Sequence, residues 1–199
     1  MCGICGIVAT PDRLVPGSIR DMNRALGHRG PDDQGLFETR FTASGEPYAL
    51  ALGHTRLSIL DLSDAGHQPM SNSSGELTVS YNGEIYNFRE LRRELEARGH
   101  VFRSRTDTEV LLEGYRAWGS GVVDRLVGMF AFALFDARAG TLLLARDRLG
   151  IKPLYYSFRE GALLFASELT ALRAHPAYRA EVDRRSLGLF LQYGYVPGP

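Results

Sequence analysis

Cysteine is scarce: the chain of 199 residues carries two, Cys2 and Cys5. Two are too few for a disulfide framework, so the sequence does not read as a small cross-linked secreted scaffold. Net charge is absent as well, with 23 basic residues against 23 acidic ones. A partner held by bulk charge, whether nucleic acid or an anionic membrane surface, is thereby excluded. No apolar run approaches the ~18 residues that a bilayer span needs. No basic n-region opens the chain, and Asp12 and Arg13 interrupt the first apolar stretch, so no signal peptide is read. Position 2 holds Cys rather than the Gly that myristoylation requires. The cytoplasm is the expected compartment, with both thiols reduced. The histidines, His28, His54, His67, His100 and His175, show no paired spacing, so no zinc or other metal site is expected. A Walker-type phosphate loop is also missing.

What is present is a chain with 44% hydrophobic residues and 22 glycines. By size scaling, one domain of this length buries roughly 70% of the surface its unfolded chain exposes. The glycines point to many turns and short elements. Strands are read over residues 5–9, 48–54 and 77–81, the last with period-two alternation. A short helix over 18–25 would take Ser18 as N-cap. The clearest helix spans 87–98, with Asn87 as N-cap, Phe88, Leu91 and Leu95 on one face, and Gly99 as left-handed C-cap. A second helix starts at Thr106, with Glu109 completing a capping box; Leu111, Tyr115 and Trp118 form its stripe, and Gly119 stops it. Residues 129–135 are apolar on both faces, as a strand buried between layers requires. Residues 141–145, 154–158 and 163–166 follow as hairpin-connected strands. Hairpins without strand–helix–strand alternation point to mainly antiparallel sheets with helices outside, a layered sandwich of α and β elements. An unusually apolar helix over 185–195 comes last.

The two cysteines have C-x-x-C spacing. A redox pair belongs at a helix N-terminus after a strand, and here the residues that follow read as strand. Cys5 is then a small buried hydrophobe. Cys2 differs through its position. If Met1 is removed, Cys2 carries both a thiol and a free α-amine, whose reference pKa of about 8 leaves a useful fraction uncharged at neutral pH. One residue would then supply both nucleophile and base.

Six motifs occur in order: Met1-Cys2-Gly3-Ile4-Cys5-Gly6-Ile7; His28-Arg29-Gly30-Pro31-Asp32; Arg56-Leu57-Ser58-Ile59; Tyr81-Asn82-Gly83-Glu84-Ile85-Tyr86-Asn87; Thr106-Asp107-Thr108-Glu109; and Arg146-Asp147-Arg148-Leu149-Gly150-Ile151-Lys152-Pro153-Leu154-Tyr155-Tyr156. Together they resemble the glutaminase domain of glutamine-hydrolysing asparagine synthetases, a class II glutamine amidotransferase domain. The match runs from Met1 to about Ala174. The resemblance implies an α+β fold, the four-layer αββα sandwich of the N-terminal-nucleophile hydrolases. It implies hydrolysis of glutamine to glutamate and ammonia through a thioester on Cys2. Asn82 and Gly83 would form the oxyanion hole. Arg56 suits the α-carboxylate of glutamine, and Asp107 its α-ammonium, with Glu84 as a second acceptor. Backbone groups of Leu57, Ser58, Ile59 and Leu60 would line the substrate.

Each residue also has a plainer reading. Asn82-Gly83 after a strand is an ordinary type I′ turn, Asp107 a helix-start residue, Arg56 a salt-bridge arginine. His28, Arg29 and Asp32 read as turn residues and receive no catalytic task.

The resemblance further implies a second domain that uses ATP and magnesium to activate aspartate; the glutaminase part itself would need no cofactor. The Ser-Gly-Gly-x-Asp-Ser loop of that second domain does not occur. Residues 2–184 are therefore expected to be the glutaminase domain, and 185–199 the start of the linker and first helix of a synthetase domain. Expected partners are glutamine and that C-terminal domain; a homodimer is left open, and neither nucleic acid nor membrane is expected. An amidotransferase acting on a peptide, sugar or antibiotic precursor is the alternative.

Overall fold

Alternation over residues 77–81 and the doubly apolar run 129–135 are the strongest strand signals, and the two segments pair with each other. The computed structural model describes residues 1–58 and 63–197. Along the chain come β1 (Gly3–Ala9), α1 (Ser18–Ala25), β2 (Asp33–Ala43), β3 (Glu46–Arg56), β4 (Met70–Ser71) and β5 (Leu77–Ile85). Then follow α2 (Phe88–Ala97), α3 (Asp107–Trp118), α4 (Val122–Arg125), β6 (Gly128–Asp136), β7 (Thr141–Arg146), β8 (Tyr155–Arg159), β9 (Ala162–Ala166), α5 (Leu169–Arg173) and α6 (Arg184–Tyr193). One sheet has the order β2-β3-β1-β9-β8 and the other β4-β5-β6-β7, with every strand pair antiparallel.

Three apolar layers hold the sheets and helices together. Leu50, Leu52, Ala133, Phe135 and Phe165 meet between the two sheets. Ile19 and Met22 of α1, Leu26 just after it and Leu172 of α5 cover the outer face of the first sheet. Leu91 and Leu95 of α2 with Val110 and Leu111 of α3 cover the second. That is the expected four-layer αββα sandwich. Phe135 and Phe165 are fully buried between the sheets, and truncating either to Ala would cost about 3–5 kcal/mol.

Helix boundaries fall close to those read from sequence, but two caps work differently. At α1 the N-cap position is Gly17, and Ser18 is the first helical residue, its hydroxyl donating back to Val15 O at 2.7 Å. Asn87 does precede α2, yet it caps nothing. Its amide donates to Arg125 O at 2.9 Å and accepts from Val127 N at 3.0 Å, tying the helix start to the loop before β6. Gly99, at φ +87, ends α2 as expected: its N–H bonds Glu96 O and the N–H of His100 bonds Leu95 O, the paired bonds of a Schellman turn. Thr106 accepts from Glu109 N at 3.2 Å. The return arm of the capping box goes elsewhere. Glu109 takes the N–H groups of Arg103 and Ser104 and the Ser104 hydroxyl, because Thr106 N already donates to Ser104 Oγ.

Asn82-Gly83 is not a turn. β5 continues through both to Ile85, with Asn82 opposite Ala131 and Gly83 opposite Phe130. Sequence reading also passed over β2, which pairs with β3 along its whole length. It is an edge strand whose Gln34, Leu36, Glu38, Arg40 and Thr42 face outward, so its apolar alternation is too weak to register.

Candidate active site

β1 is the central strand of its sheet, and Cys2 immediately precedes it. Gly3 lies opposite Thr55, which brings Cys2 beside the end of β3. Leu57 N–H donates to Cys2 Sγ at 3.4 Å, and the thiol points to Leu57 O at 3.7 Å. Arg29 Nε donates to the Cys2 carbonyl at 3.0 Å. The same guanidinium is anchored by Glu168 at 2.7 Å, which also takes His28 at 3.0 Å. Burial raises the Glu168 carboxyl, but hydrogen bonds from Arg29, His28 and Thr170 outweigh this and hold it below the usual range.

A cleft opens beside Cys2, lined by Arg56, Leu57, Gly66, Gln68, Tyr81, Gly83, Thr106, Asp107 and Thr108. β5 forms one wall. Tyr81 N–H donates to Gln68 Oε1 at 2.7 Å and Ile85 N–H to Asp107 Oδ2 at 3.0 Å, both directed away from β6. Gly83 lies between them on the same alternation, so its N–H is directed into the cleft. A Cβ at Gly83 would come within 2.5 Å of Met129 O and 2.8 Å of the Phe130 backbone. Only glycine lets β5 run this close to β6 at that point.

Asn82 lies on the opposite face, with Ser80, whose hydroxyl donates to Gly53 O at 3.0 Å in the first sheet. Asn82 is 2% exposed, and its amide Nδ2 has no hydrogen-bond partner among the described residues. A buried donor left unpaired is costly. It is the kind of group that an oxyanion would satisfy.

The cleft also carries one charge of each sign. Arg56, from the end of β3, is buried, and its Nη1 donates to Ser63 O at 3.0 Å. Asp107, the first residue of α3, is buried and accepts from Tyr81 Oη at 2.7 Å besides Ile85 N–H. Burial pushes the Asp107 carboxyl up, and the hydrogen bonds from Ile85 and Tyr81 only partly oppose that rise. A bound cation would relieve the penalty. One fixed cation and one fixed anion suit a zwitterion.

Of the residues singled out from sequence, Cys2, Arg56, Leu57, Gly83 and Asp107 come together in this cleft. Asn82 lies buried beside it. Ser58 is half-buried, and its N–H donates to Asp32 Oδ2 at 2.8 Å. Glu84 is half-buried and is not among the lining residues. Ile59 and Leu60 lie outside the described residues. Arg29, Asp32, Gln68 and Tyr81 make contacts around the cleft to which the sequence alone assigns no task. The His28–Asp32 motif was the available signal for the first two.

Cys5 is fully buried, its thiol 3.9 Å from Asn23 Oδ1, and burial pushes that thiol far up. Both cysteines are free. Among the described residues no three His, Cys, Asp or Glu side chains cluster as a metal site. None of the described helices is long and apolar enough to cross a membrane.

The family profile for the glutamine amidotransferase domain matches residues 1–199. The chain belongs to the glutamine amidotransferase domain family. This amidotransferase domain is 44% identical to asparagine synthetase [glutamine-hydrolyzing] 3 of Bacillus subtilis, over 94% of its own length and 30% of the relative's. It is 38% identical to asparagine synthetase [glutamine-hydrolyzing] 1 of the same organism, over 100% of its length and 30% of the relative's. The chain thus spans about a third of the length of the curated relatives it matches. A solved structure of glutamine phosphoribosylpyrophosphate amidotransferase from Bacillus subtilis matches with a TM-score of 0.70 and 24% identity, covering 87% of this chain and 43% of that one. That likeness concerns the fold, which is the N-terminal-nucleophile hydrolase fold.

Behind the cleft, His54 of β3 is fully buried, and its Nε2 donates to Tyr81 O at 3.0 Å. Burial pushes its pKa down to about 4 from an ordinary 6.5. The folded domain therefore keeps this ring neutral, while the unfolded chain takes up a proton below pH 6.5. Stability from this group is complete above the unfolded value and is lost as pH falls toward 4, by roughly 3 kcal/mol in all. Denaturant unfolding across that window should show a steeper pH dependence for the wild type than for His54→Gln; equal slopes would refute the assignment.

Proposed function

We propose that this domain hydrolyses glutamine to glutamate and ammonia with Cys2 as the nucleophile, after removal of Met1. The observation that carries the reading is the convergence of the Cys2 thiol, the cleft-directed Gly83 N–H, Arg56 and Asp107 around one cleft. Arg56 pairs with the α-carboxylate of glutamine and Asp107 with its α-ammonium, which fixes the side-chain amide next to sulfur. The freed α-amine of Cys2 takes the thiol proton as sulfur attacks the amide carbon. The carbonyl oxygen becomes an oxyanion held by Gly83 N–H and the Asn82 amide. Collapse breaks the C–N bond, and the proton passes from the α-ammonium to the leaving nitrogen, giving ammonia and a thioester. Water, deprotonated by the same amine, attacks the thioester and releases glutamate and the free thiol. Glu84 and the backbone of Leu57, Ser58, Ile59 and Leu60 complete the substrate contacts in this reading.

Because Asp107 would bind only the α-ammonium, Asp107→Asn should raise the KM for glutamine about 10- to 100-fold with a smaller change in kcat. Steady-state glutaminase kinetics checks this; an unchanged KM would remove Asp107 from the binding site.

The ammonia is proposed to serve asparagine formation from aspartate. The names and greater length of the relatives support this. ATP and magnesium would act in a C-terminal synthetase domain, and the glutaminase step would need no cofactor. Residues 2–184 would form the glutaminase domain. Helix α6, whose Leu187, Phe190, Leu191 and Tyr193 are exposed, would lead into the following one. The cytoplasm is the proposed location. Assay of the full-length protein with glutamine, ATP and aspartate tests the acceptor; ammonia release without asparagine would favour a peptide, sugar or antibiotic precursor instead.

A further inference from the structure

The chain holds a single lysine, Lys152, among 23 basic residues. It is only 6% exposed. Lysine is almost never buried unless it is paired. Its ammonium has no carboxylate within ion-pair distance among the described residues. The one contact it makes there is with Met1 Sδ at 3.4 Å, a weak acceptor. The loop beneath it is built to hold it there. Asp147 accepts the N–H groups of Lys152 and Ile151 at 2.9 Å, of Leu149 at 3.1 Å and of Phe130 at 3.2 Å. Asp147 is thus committed to the backbone. Phe130 in turn lies opposite Gly83, so the loop carrying Lys152 is registered to the strand that lines the cleft.

We propose that Lys152 is a positioning residue for the N-terminal cysteine: once Met1 is gone, its ammonium faces Cys2 and favours the uncharged α-amine that takes the thiol proton. The inference rests on the reading of Cys2 as nucleophile. A nearby positive charge disfavours a second one, so more of the α-amine is free to act as the base when sulfur attacks. The other charged or titratable groups around Cys2 are already engaged. Arg29, after α1, pairs with Glu168. Arg56 of β3 donates to Ser63 O. Tyr81 of β5 donates to Asp107 of α3. Lys152 is the cation whose described partner leaves with Met1.

The test compares the full-length wild type with Lys152→Met and Lys152→Arg, each confirmed by mass to have lost Met1. Glutaminase kcat/KM and the rate of Cys2 alkylation by iodoacetamide are measured against pH. Activity needs the uncharged amine, so it rises with pH through the titration of that amine. Removing the ammonium should move this acid limb up by about one pH unit in both measurements, and lower kcat/KM about tenfold at about pH 6. Lys152→Arg should restore the limb. A uniform loss at every pH, or superimposable profiles, would overturn the proposal and leave Lys152 a packing residue. Cys2→Ala separates the two readings: a variant that still hydrolyses glutamine refutes the nucleophile, whereas an inactive one with an unshifted Lys152→Met profile refutes only the role of Lys152.

Discussion

Replacing Cys2 with Ala should abolish glutamine hydrolysis, by about 10⁴-fold or more, with no loss of thermal stability. Both halves follow from where the residue sits. Cys2 lies ahead of β1, half-buried, and among the described residues its thiol hydrogen-bonds only with the backbone of Leu57. Its carbonyl, not its side chain, is what Arg29 holds. Deleting sulfur therefore removes nothing that the sandwich depends on. Serine at the same position should also fail, because a hydroxyl is a far weaker nucleophile than a thiol near neutral pH. Cys5→Ser is the matched control. That sulfur is buried under α1, so the change should lower stability while the activity of the folded fraction persists. Glutaminase rate and thermal midpoint, measured on all three variants, distinguish a lost nucleophile from a damaged fold.

The second large effect should come from Asn82→Ala. The Asn82 amide is buried with its Nδ2 unpaired among the described residues, so its removal breaks none of their hydrogen bonds to that nitrogen. Loss of one oxyanion donor typically lowers kcat about 10²- to 10³-fold, equal to about 3–4 kcal/mol of barrier. KM should change little, since the amide acts on the developing oxyanion. Stability should hold or rise slightly, because an unsatisfied buried donor is gone. A large rise in KM with kcat preserved would instead make Asn82 a ground-state binding residue.

The candidate site was legible in sequence as far as its motifs go, and the fold brings Cys2, Arg56, Leu57, Gly83 and Asp107 into one cleft. Cys2 stands out by its position alone, whereas Asn82-Gly83, Asp107 and Arg56 are singled out only through the resemblance, each having a plainer reading by itself. The supporting contacts were not legible. Arg29 reaches Cys2 from 27 residues away and Glu168 from 139, and no local pattern encodes such meetings. Lys152 is further still, 151 residues from Met1. Local rules misled at Asn82-Gly83, where turn chemistry suggested a hairpin. There the tertiary fold carries the strand onward, because Gly83 must pass close to Phe130. They misled again at Ser18 and Asn87, whose side chains bond to Val15 and to the loop before β6 rather than to their own helices. In the fold, the doubly buried β6 and the amphipathic α2 and α3 were plain from their periodicity. The edge strand β2 was not, since one of its faces is open to solvent.

The central claim is that Cys2, freed of Met1, attacks the side-chain carbonyl of glutamine. Mass spectrometry tests it most directly: full-length active protein is incubated with a glutamine analogue bearing an electrophilic ketone in place of the amide, then digested and mapped. The expected result is an N-terminal peptide that begins at Cys2 and carries the whole adduct on its first residue, with Cys5 unmodified. Active protein that retains Met1, or an adduct anywhere but Cys2, would contradict the account.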